Sequence, residues 1–200
     1  MARPREFDEE AVLDAVVQCF WSRGYEATSM RDLIDKTGIT SASLYNAFGD
    51  KRALFQKALQ HYVEASIGDR LGRCEKMAPR AAIAAFFDEI LQRSLSDRQH
   101  KGCMLVNTAL DAAHDPESRK TVAAVLVRLE QFFLDCVAAG QADGTITRTV
   151  PAANLARQLL GALMGLRVLA RARPERPLLE GIVQATLALL APSNEAGART

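Results

Sequence analysis

Apolar residues recur three and four positions apart along most of this chain, which is the spacing of one face of an α-helix. Near the start, Leu13, Val16, Val17 and Phe20 form such a stripe, and Gly24 ends it. No segment alternates between apolar and polar residues for long enough to indicate a β-strand. The pattern predicts an all-α protein of about nine helices.

Helix start and stop signals divide the N-terminal part into short elements. Ser29 is a good N-cap for one short helix, and Thr40 or Ser41 is a good N-cap for the next. Gly38 supplies the turn between them, because glycine adopts backbone conformations that other residues avoid. Residues 7–48 are therefore predicted to form a compact three-helix unit.

The third predicted helix begins with Thr40-Ser41-Ala42-Ser43, a run of small side chains with little apolar surface to bury. Such side chains let a helix backbone approach another molecule closely and meet it with hydroxyl groups. Two short helices joined by a glycine turn, with this second helix, are typical of a helix-turn-helix whose second helix enters the DNA major groove.

Composition agrees with a globular protein but adds no electrostatic support for DNA binding. The 200 residues are 48% hydrophobic and 24% charged, and the formal net charge is +1. Over the first 57 residues, Asp and Glu are about as many as Lys and Arg. Nucleic-acid binding must therefore depend on where individual charges lie.

Several other function classes find little support in the sequence. No apolar run approaches the roughly 20 residues that span a bilayer, and the N-terminus turns acidic where a signal peptide would turn apolar, so we expect a cytoplasmic protein. The four cysteines are far apart, which argues against a disulfide framework or a zinc site. The sequence predicts no metal and no cofactor.

Three segments resemble the TetR/AcrR family of bacterial transcriptional repressors: RPREFD at 3–8, FWSRGYEATS at 20–29 and LYNAFGDK at 44–51. Further along, GCMLVN at 102–107 is similar to a subgroup that includes the N-ethylmaleimide-responsive repressor. The resemblance implies a homodimer, with a helix-turn-helix DNA-binding domain at 1–50 and an effector-binding and dimerisation domain at 51–200. A small-molecule, electrophile or oxidant signal would release it from a palindromic operator in double-stranded DNA.

The resemblance implies DNA contacts from hydroxyl, amide and cationic side chains, from the methyl group of one alanine, and from backbone donors at Thr28 and Ser29. At the matching positions of this chain these are Thr28, Ser29, Thr40, Ser41, Ala42, Ser43, Tyr45, Asn46 and Lys51, together with Arg3 and Arg5 of a basic arm. The alternatives are that Thr40 and Ser41 only cap a helix, that Tyr45 packs on the core, and that the arm is a solvated tail. Since no Arg or Lys lies within 40–46, we expect specificity to rely on half-site spacing and DNA shape.

The family context also predicts an effector pocket between helices of the second domain. Its candidate lining residues are aromatic, sulfur-containing or amide side chains: Phe86, Phe87, Cys103, Met104, Asn107, Phe132 and Phe133. The alternative is that the aromatic stripe is simply core. Because no strong charge pair is evident among these residues, the expected effector is apolar or weakly polar.

Cys103 has a second possible role, as a reactive thiol. It is predicted in the first turn of a helix, where free N–H groups favour a thiolate, and Arg98, His100 and Lys101 precede it. That combination is typical of a cysteine that senses electrophiles or oxidants. The alternative is a small buried hydrophobic residue, the commonest state of a free cysteine.

The last two predicted helices carry apolar stripes that the family uses for dimerisation. The candidate interface residues are Leu159, Leu163, Leu166, Ile182, Val183 and Leu187. The alternative is that these stripes close the core of the subunit itself. A competing function for the whole chain is a helical small-molecule-binding protein or enzyme, although the sequence offers no nucleophile–base pair or carboxylate pair for catalysis.

Overall fold

The computed structural model describes residues 7–111 and 115–192, and it is entirely helical over these ranges, which confirms the predicted fold class. Ten α-helices and one π-helical turn lie in the described residues, against about nine helices predicted. The helices are α1 (Glu9–Arg23), α2 (Met30–Thr37), α3 (Ser41–Phe48), α4 (Lys51–Val63), the π turn (Glu64–Gly68), α5 (Asp69–Cys74), α6 (Pro79–Ser96), α7 (Met104–Asp111), α8 (Pro116–Asp143), α9 (Ala152–Ala172) and α10 (Arg176–Ala188).

The additional helix comes from residues 64–74, where Gly68 and Gly72 weaken the helical signal in the sequence. The chain stays helical there through the π turn and α5, and Ile67, Leu71 and Cys74 are buried. Burial of these side chains outweighs the roughly 1 kcal/mol that a glycine costs in a helix.

The chain divides into two compact units. The first unit consists of the described residues of Met1–Gly68 and Cys103–Val122, and the second consists of those of Asp69–Gly102 and Ala123–Thr200. This division differs from the predicted functional boundary at residue 50, because α4 packs against α1 and α7. The functional assignment of the two predicted domains stays a prediction.

The core of the first unit is built on the packing of α4 against α1. Val16 and Phe20 from α1 and Leu54 and Leu59 from α4 are buried. The ring of Phe55 meets the ring of Phe20 edge-on, with centroids 5.0 Å apart. This core holds the short helices α2 and α3, which would be marginal in isolation.

In the second unit, α6 packs against α5, α9 and α10. The buried stripe of α6 includes Ile83, Phe86 and Phe87, and the buried stripe of α9 includes Leu159 and Leu166. Within the described ranges, no helix is both long enough and apolar enough to cross a membrane.

Candidate nucleic-acid interface

The helix-turn-helix predicted from the sequence is formed by α2, a short turn and α3. Gly38 ends α2 in the left-handed conformation, with φ of 71°, and its amide donates to the carbonyl of Ile34 at 2.9 Å. Thr40 then caps α3, where its hydroxyl oxygen accepts from the amide of Ser43 at 3.2 Å. Of the two N-caps considered for this helix, the structure selects Thr40.

The eight residues of α3 separate into two faces. Leu44 and Phe48 are buried in the first unit and hold the helix in place. The opposite face carries Ser41, Ala42, Tyr45 and Asn46, which are all exposed. Tyr45 is 46% exposed, so it does not pack in the core as the alternative interpretation required.

Side chains at the starts of α2 and α4 lie at the edges of the same helix-turn-helix. Ser29 is exposed and caps α2. Lys51 begins α4, where its ammonium lies 4.3 Å from the ring centroid of Tyr25 and 3.5 Å from the carbonyl oxygen of Glu26. The cation–π contact orders Lys51 while its charge stays at the unit's surface.

Thr28 does not fit its predicted role as a side-chain DNA contact. It is fully buried, and its hydroxyl donates to the carbonyl of Gly24 at 2.7 Å. The loop between α1 and α2 folds inward at this residue, so the side chain stabilises the loop instead of reaching outward. Arg3 and Arg5 lie outside the described residues.

The first turn of α2 is braced by a capping box between Ser29 and Asp32. The Asp32 carboxylate accepts from the Ser29 hydroxyl at 2.6 Å and from the Ser29 amide at 2.8 Å, while the Asp32 amide donates back to Ser29 Oγ at 3.1 Å. The Arg23 guanidinium also donates to Asp32. These hydrogen bonds from Ser29, with that from Arg23, lower the pKa of Asp32 to about 2.

A second polar cluster, which sequence reasoning missed, joins α4 to the start of α8. The carboxylate of Asp115 accepts from Arg52 Nε at 3.1 Å, from Gln56 Nε2 at 2.9 Å and from the Ser118 amide at 2.9 Å. Hydrogen bonds from Ser118 are the main reason that the pKa of Asp115 is lowered. Its Asp-Pro sequence signal indicated a helix boundary but could not reveal the partners on α4.

The predicted effector residues fall in both compact units. In the second unit, Phe86, Phe87, Phe132 and Phe133 form one cluster of buried rings, with neighbouring centroids 5.3–6.1 Å apart. Rings packed at these distances are in mutual contact and fill the core of that unit. The structure thus gives these four residues a core role, and a pocket beside them stays a prediction.

The other predicted effector residues belong to the first unit. Cys103 and Met104 are buried, and Asn107 is half-buried. The Cys103 sulfur lies 3.4 Å from the Tyr62 hydroxyl oxygen, close enough for a hydrogen bond. Cys103 precedes α7 and its carbonyl accepts from the Asn107 amide at 2.8 Å, so it occupies the N-cap position of the helix instead of its first turn.

The remaining cysteines have environments that disfavour the thiolate. Burial is the largest cause that raises the pKa of Cys19 and Cys74, and it raises the pKa of Cys136 to about 11. A thiol with a raised pKa is a poor nucleophile at neutral pH. These three cysteines are therefore weaker candidates for a reactive thiol than their number in the sequence suggests.

The second unit buries two arginines that lie outside the predicted pocket residues. Arg70 is 4% exposed and Arg167 is 8% exposed. Arg70 Nε lies 3.2 Å from Glu89 Oε1, an ion pair without an aligned hydrogen bond. Burial would raise the pKa of Glu89, but the hydrogen bond from Arg73 and the nearby guanidinium charges outweigh it and lower that pKa. Arg167 could have been suspected, because it lies one turn after Leu163 on the inward stripe of α9.

Most of the predicted dimer-interface residues are buried within the subunit. Leu159, Leu163, Leu166 and Val183 are almost fully inaccessible. They already pack in the core of the second unit and leave little surface for a partner. This agrees with the alternative interpretation, in which these stripes close the core of the subunit itself. Ile182 and Leu187 are partly exposed.

A different, exposed face of α9 and α10 carries small and aliphatic residues. Gly161 and Gly165 lie on α9 with Val168, which is 40% exposed, and Gly181 lies on α10. A Cβ atom added at any of these three glycines would meet no described atom within 4 Å. The exposed sides of the two helices, unlike the buried leucine stripe, therefore include positions with little or no side chain.

Comparison with known proteins confirms the family resemblance over both halves of the chain. A family model described as "Bacterial regulatory proteins, tetR family" matches residues 12–58, and one described as "Tetracyclin repressor-like, C-terminal domain" matches residues 79–186. The HTH-type transcriptional repressor ComR of Escherichia coli (strain K12) is 31% identical over 175 residues, which cover 84% of this chain and 82% of ComR.

Solved structures agree with this assignment. A cysteine-substituted mutant of the TetR family transcriptional regulator CifR, complexed with 26-base-pair operator DNA, superposes with a TM-score of 0.82 at 32% identity, covering 94% of this chain and 100% of that one. The reduced form of E. coli NemR superposes with a TM-score of 0.80 at 19% identity, covering 91% of this chain and 96% of that one, a likeness that shows the fold alone. Because one family model spans more than half of its residues and ComR is similar over most of both proteins, this chain belongs to the TetR family of bacterial regulatory proteins, whose members are DNA-binding transcriptional regulators and not enzymes.

Proposed function

We propose that this protein is a homodimeric transcriptional repressor that binds a palindromic operator through α3 and is released by a chemical signal. The observation that carries the proposal is the outward face of α3, where Ser41, Ala42, Tyr45 and Asn46 are exposed on a helix anchored by buried Leu44 and Phe48. The name of ComR as a repressor and the operator complex of CifR support it.

The proposed contacts divide into base readout and phosphate positioning. Ser41 offers its hydroxyl to base edges, and the methyl group of Ala42 suits the methyl group of thymine. Tyr45 and Asn46 reach phosphates from the exposed face, and Ser29 and Lys51 add contacts at the starts of α2 and α4. Since α3 carries no arginine for a bidentate contact with guanine, half-site spacing and DNA shape supply much of the specificity.

Dimerisation is proposed through the exposed face of α9 and α10 defined by Gly161, Gly165, Val168 and Gly181. Small residues one turn apart allow helix backbones to approach closely, and the aliphatic side chains beside them gain from burial. A two-fold axis through this face repeats the DNA-binding helix in the second subunit, as a palindromic operator requires.

For the releasing signal, Cys103 is the residue proposed to sense electrophiles or oxidants. Its thiol is buried against the Tyr62 hydroxyl, so modification would displace packed side chains of the first unit, including α4. The test is Cys103→Ser, measured by operator release after treatment with N-ethylmaleimide. If the variant leaves DNA as readily as the wild type, sensing by Cys103 is wrong, while a non-covalent effector stays possible.

The test of DNA binding is a fluorescence anisotropy titration with duplexes from the region upstream of the protein's own gene. Ala42→Glu places a carboxylate on the outward face of α3, where it opposes the phosphates. We expect affinity to fall about 100-fold or more with no loss of thermal stability. Ala11→Glu, on the exposed side of α1, is the matched control and should bind normally. Equal affinity of both variants, or no binding by the wild type at low ionic strength, would rule out the proposal.

A further inference from the structure

Arg167 carries a buried positive charge with no ion-pair partner among the described residues. Its side chain lies in the second unit, and no carboxylate of the described residues comes within 4.0 Å of it. Nη1 donates to Ser94 Oγ at 2.8 Å, and Nη2 donates to the carbonyl of Gly102. Nε is buried and has no hydrogen-bond partner among the described residues.

Neither acceptor brings a negative charge to the guanidinium. The Ser94 hydroxyl gives its own proton to the carbonyl of Ile90 at 2.7 Å, so only its lone pairs face Arg167. An arginine side chain does not lose its proton in proteins, and burial of an unpaired charge is costly. Arg70, the other buried arginine among the described residues of this unit, has Glu89 as a counter-ion.

Apolar neighbours on α9 flank Arg167, and the segment that ends at its acceptor Gly102 carries two cationic residues. Leu163 and Ala170, one turn away on α9 in each direction, are buried. Residues 97–102, whose last carbonyl Arg167 holds, include the exposed Arg98 and the half-buried Lys101. The carboxylate of Asp97 is already bonded to the backbone amides of Gln99 and Lys101, at 3.1 and 2.7 Å.

We propose that Arg167 is the anion-binding residue of an effector site that accepts an organic monocarboxylate with an apolar body. A guanidinium has five N–H donors, of which the protein uses two, so Nε and the adjacent Nη can bind both oxygens of one carboxylate side-on. One negative charge balances the one unpaired positive charge, and the buried aliphatic side chains suit the rest of the ligand. A dianion such as inorganic phosphate would need a second buried cation at this point.

The identification of this ligand as the effector rests on the proposed function, but its binding is measured without DNA. Isothermal titration calorimetry of the full-length protein uses benzoate and octanoate as probes, with benzamide, octanamide and inorganic phosphate as comparisons. We expect at least one acid to bind about 10- to 100-fold more tightly than its amide, because a charged hydrogen-bonded pair is lost in the amide. Equal affinity for acid and amide, preference for phosphate, or no binding of either acid at about 10 mM overturns the proposal.

The site itself is tested with Arg167→Met, which keeps the length of the side chain and removes its charge. Arg171→Met is the matched control, because Arg171 lies one turn further along α9 and is exposed. In Arg167→Met, we expect the affinity for the acid to fall about 10- to 100-fold, to that of the amide. Arg171→Met should still bind the acid more tightly than the amide. Retention of acid binding by Arg167→Met contradicts the site.

A spectroscopic readout keeps the proposal testable if Arg167→Met does not fold. The Nε–H resonance of Arg167, identified by its absence in the spectrum of Arg167→Lys, should shift when the wild type binds the acid probe and stay in place with its amide. No shift at saturation overturns the proposal. Operator affinity measured separately distinguishes the two hypotheses: acid binding without any DNA binding would refute the repressor and leave the anion site intact.

Discussion

The two compact units differ in what they bury besides hydrocarbon. In the described part of the first unit, the buried polar side chains are the hydroxyls of Thr28, Thr108 and Ser118. In the second unit, hydroxyls are joined by the guanidinium groups of Arg70 and Arg167. A hydroxyl can be satisfied by one backbone carbonyl, whereas a buried charge needs an opposite charge to be stable.

This difference matches the tasks proposed for the units. Presenting α3 to DNA requires a rigid support, and an apolar core in which the Thr28 and Ser118 hydroxyls are hydrogen-bonded provides one. Responding to a ligand requires a site whose free energy changes on binding, and an incompletely neutralised buried charge provides that. Substitutions of each kind of buried group test whether the two units differ in this way.

The largest effects should come from the hydrocarbon that both cores share. Phe133→Ala in the second unit and Phe48→Ala in the first each remove a buried ring, and each should lower the free energy of unfolding by about 3–5 kcal/mol. Urea denaturation measures both. A loss below about 1 kcal/mol in only one of them would mean that the two cores differ in packing and not only in charge.

Removal of a counter-ion should have the next largest effect. Glu89→Gln leaves Arg70 buried without its opposite charge and should cost about 2–3 kcal/mol of stability, less than a fully buried pair because Glu89 is partly exposed. The urea midpoint at pH 7 checks this. Glu130→Gln, which removes the partner of the exposed Arg157, is the control and should change stability by less than about 1 kcal/mol. Equal losses of stability in Glu89→Gln and Glu130→Gln would mean that the burial of Arg70 does not increase the cost of removing its partner.

In the first unit, Thr28→Val removes one buried hydroxyl and keeps the shape of the side chain. The Gly24 carbonyl loses its donor, so stability should fall by about 1–2 kcal/mol. Operator affinity of the folded variant should equal that of the wild type, because the side chain does not reach the surface. If the folded variant binds the operator about tenfold more weakly than the wild type, the Thr28 side chain does contribute to DNA binding.

The smallest effect concerns Asp32, which is a partly exposed member of the helix cap. Its pKa is lowered from 3.8 to about 2 in the folded state, so the ionised form adds stability above pH of about 4. That stability is lost as the pH falls towards the folded-state pKa. The difference in stability between wild type and Asp32→Asn should therefore shrink as the pH falls from about 4 to about 2.

Thermal denaturation at a series of pH values measures this difference, with Asp35→Asn on the exposed side of α2 as the control. A pH-independent difference for Asp32→Asn, or an equal pH dependence in the control, would contradict the assigned cause.

Local signals made the helix-turn-helix predictable. The caps Ser29 and Thr40 and the turn at Gly38 depend on neighbouring residues in the chain, so sequence alone could place α2 and α3. The exposed face of α3 was predicted from its small polar side chains, which lie between apolar core residues. Asp115, which directly precedes Pro116, could be recognised as a residue at a helix boundary. Its partners Arg52 and Gln56 could not be predicted, because they lie far away in sequence.

Predictions that depended on burial were weaker, because periodicity finds an inward face without saying what covers it. Leu159 and Leu163 form a clear stripe, but the stripe packs inside the subunit. Thr28 was assigned from the matching position in the family resemblance, which does not reveal that its side chain is buried. Arg167 was missed since a single charge within an apolar stripe is hard to distinguish from one that reaches solvent.

The exposed glycines of α9 and α10 have a consequence for how the protein behaves on dilution. In a helix, each of Gly161, Gly165 and Gly181 costs about 1 kcal/mol relative to alanine, and none is required by a close neighbour among the described residues of its own subunit. An isolated subunit would gain from alanine at all three positions. If a second chain covers these glycines, thermal stability depends on how much of the protein is dimeric. The melting temperature should then rise with protein concentration.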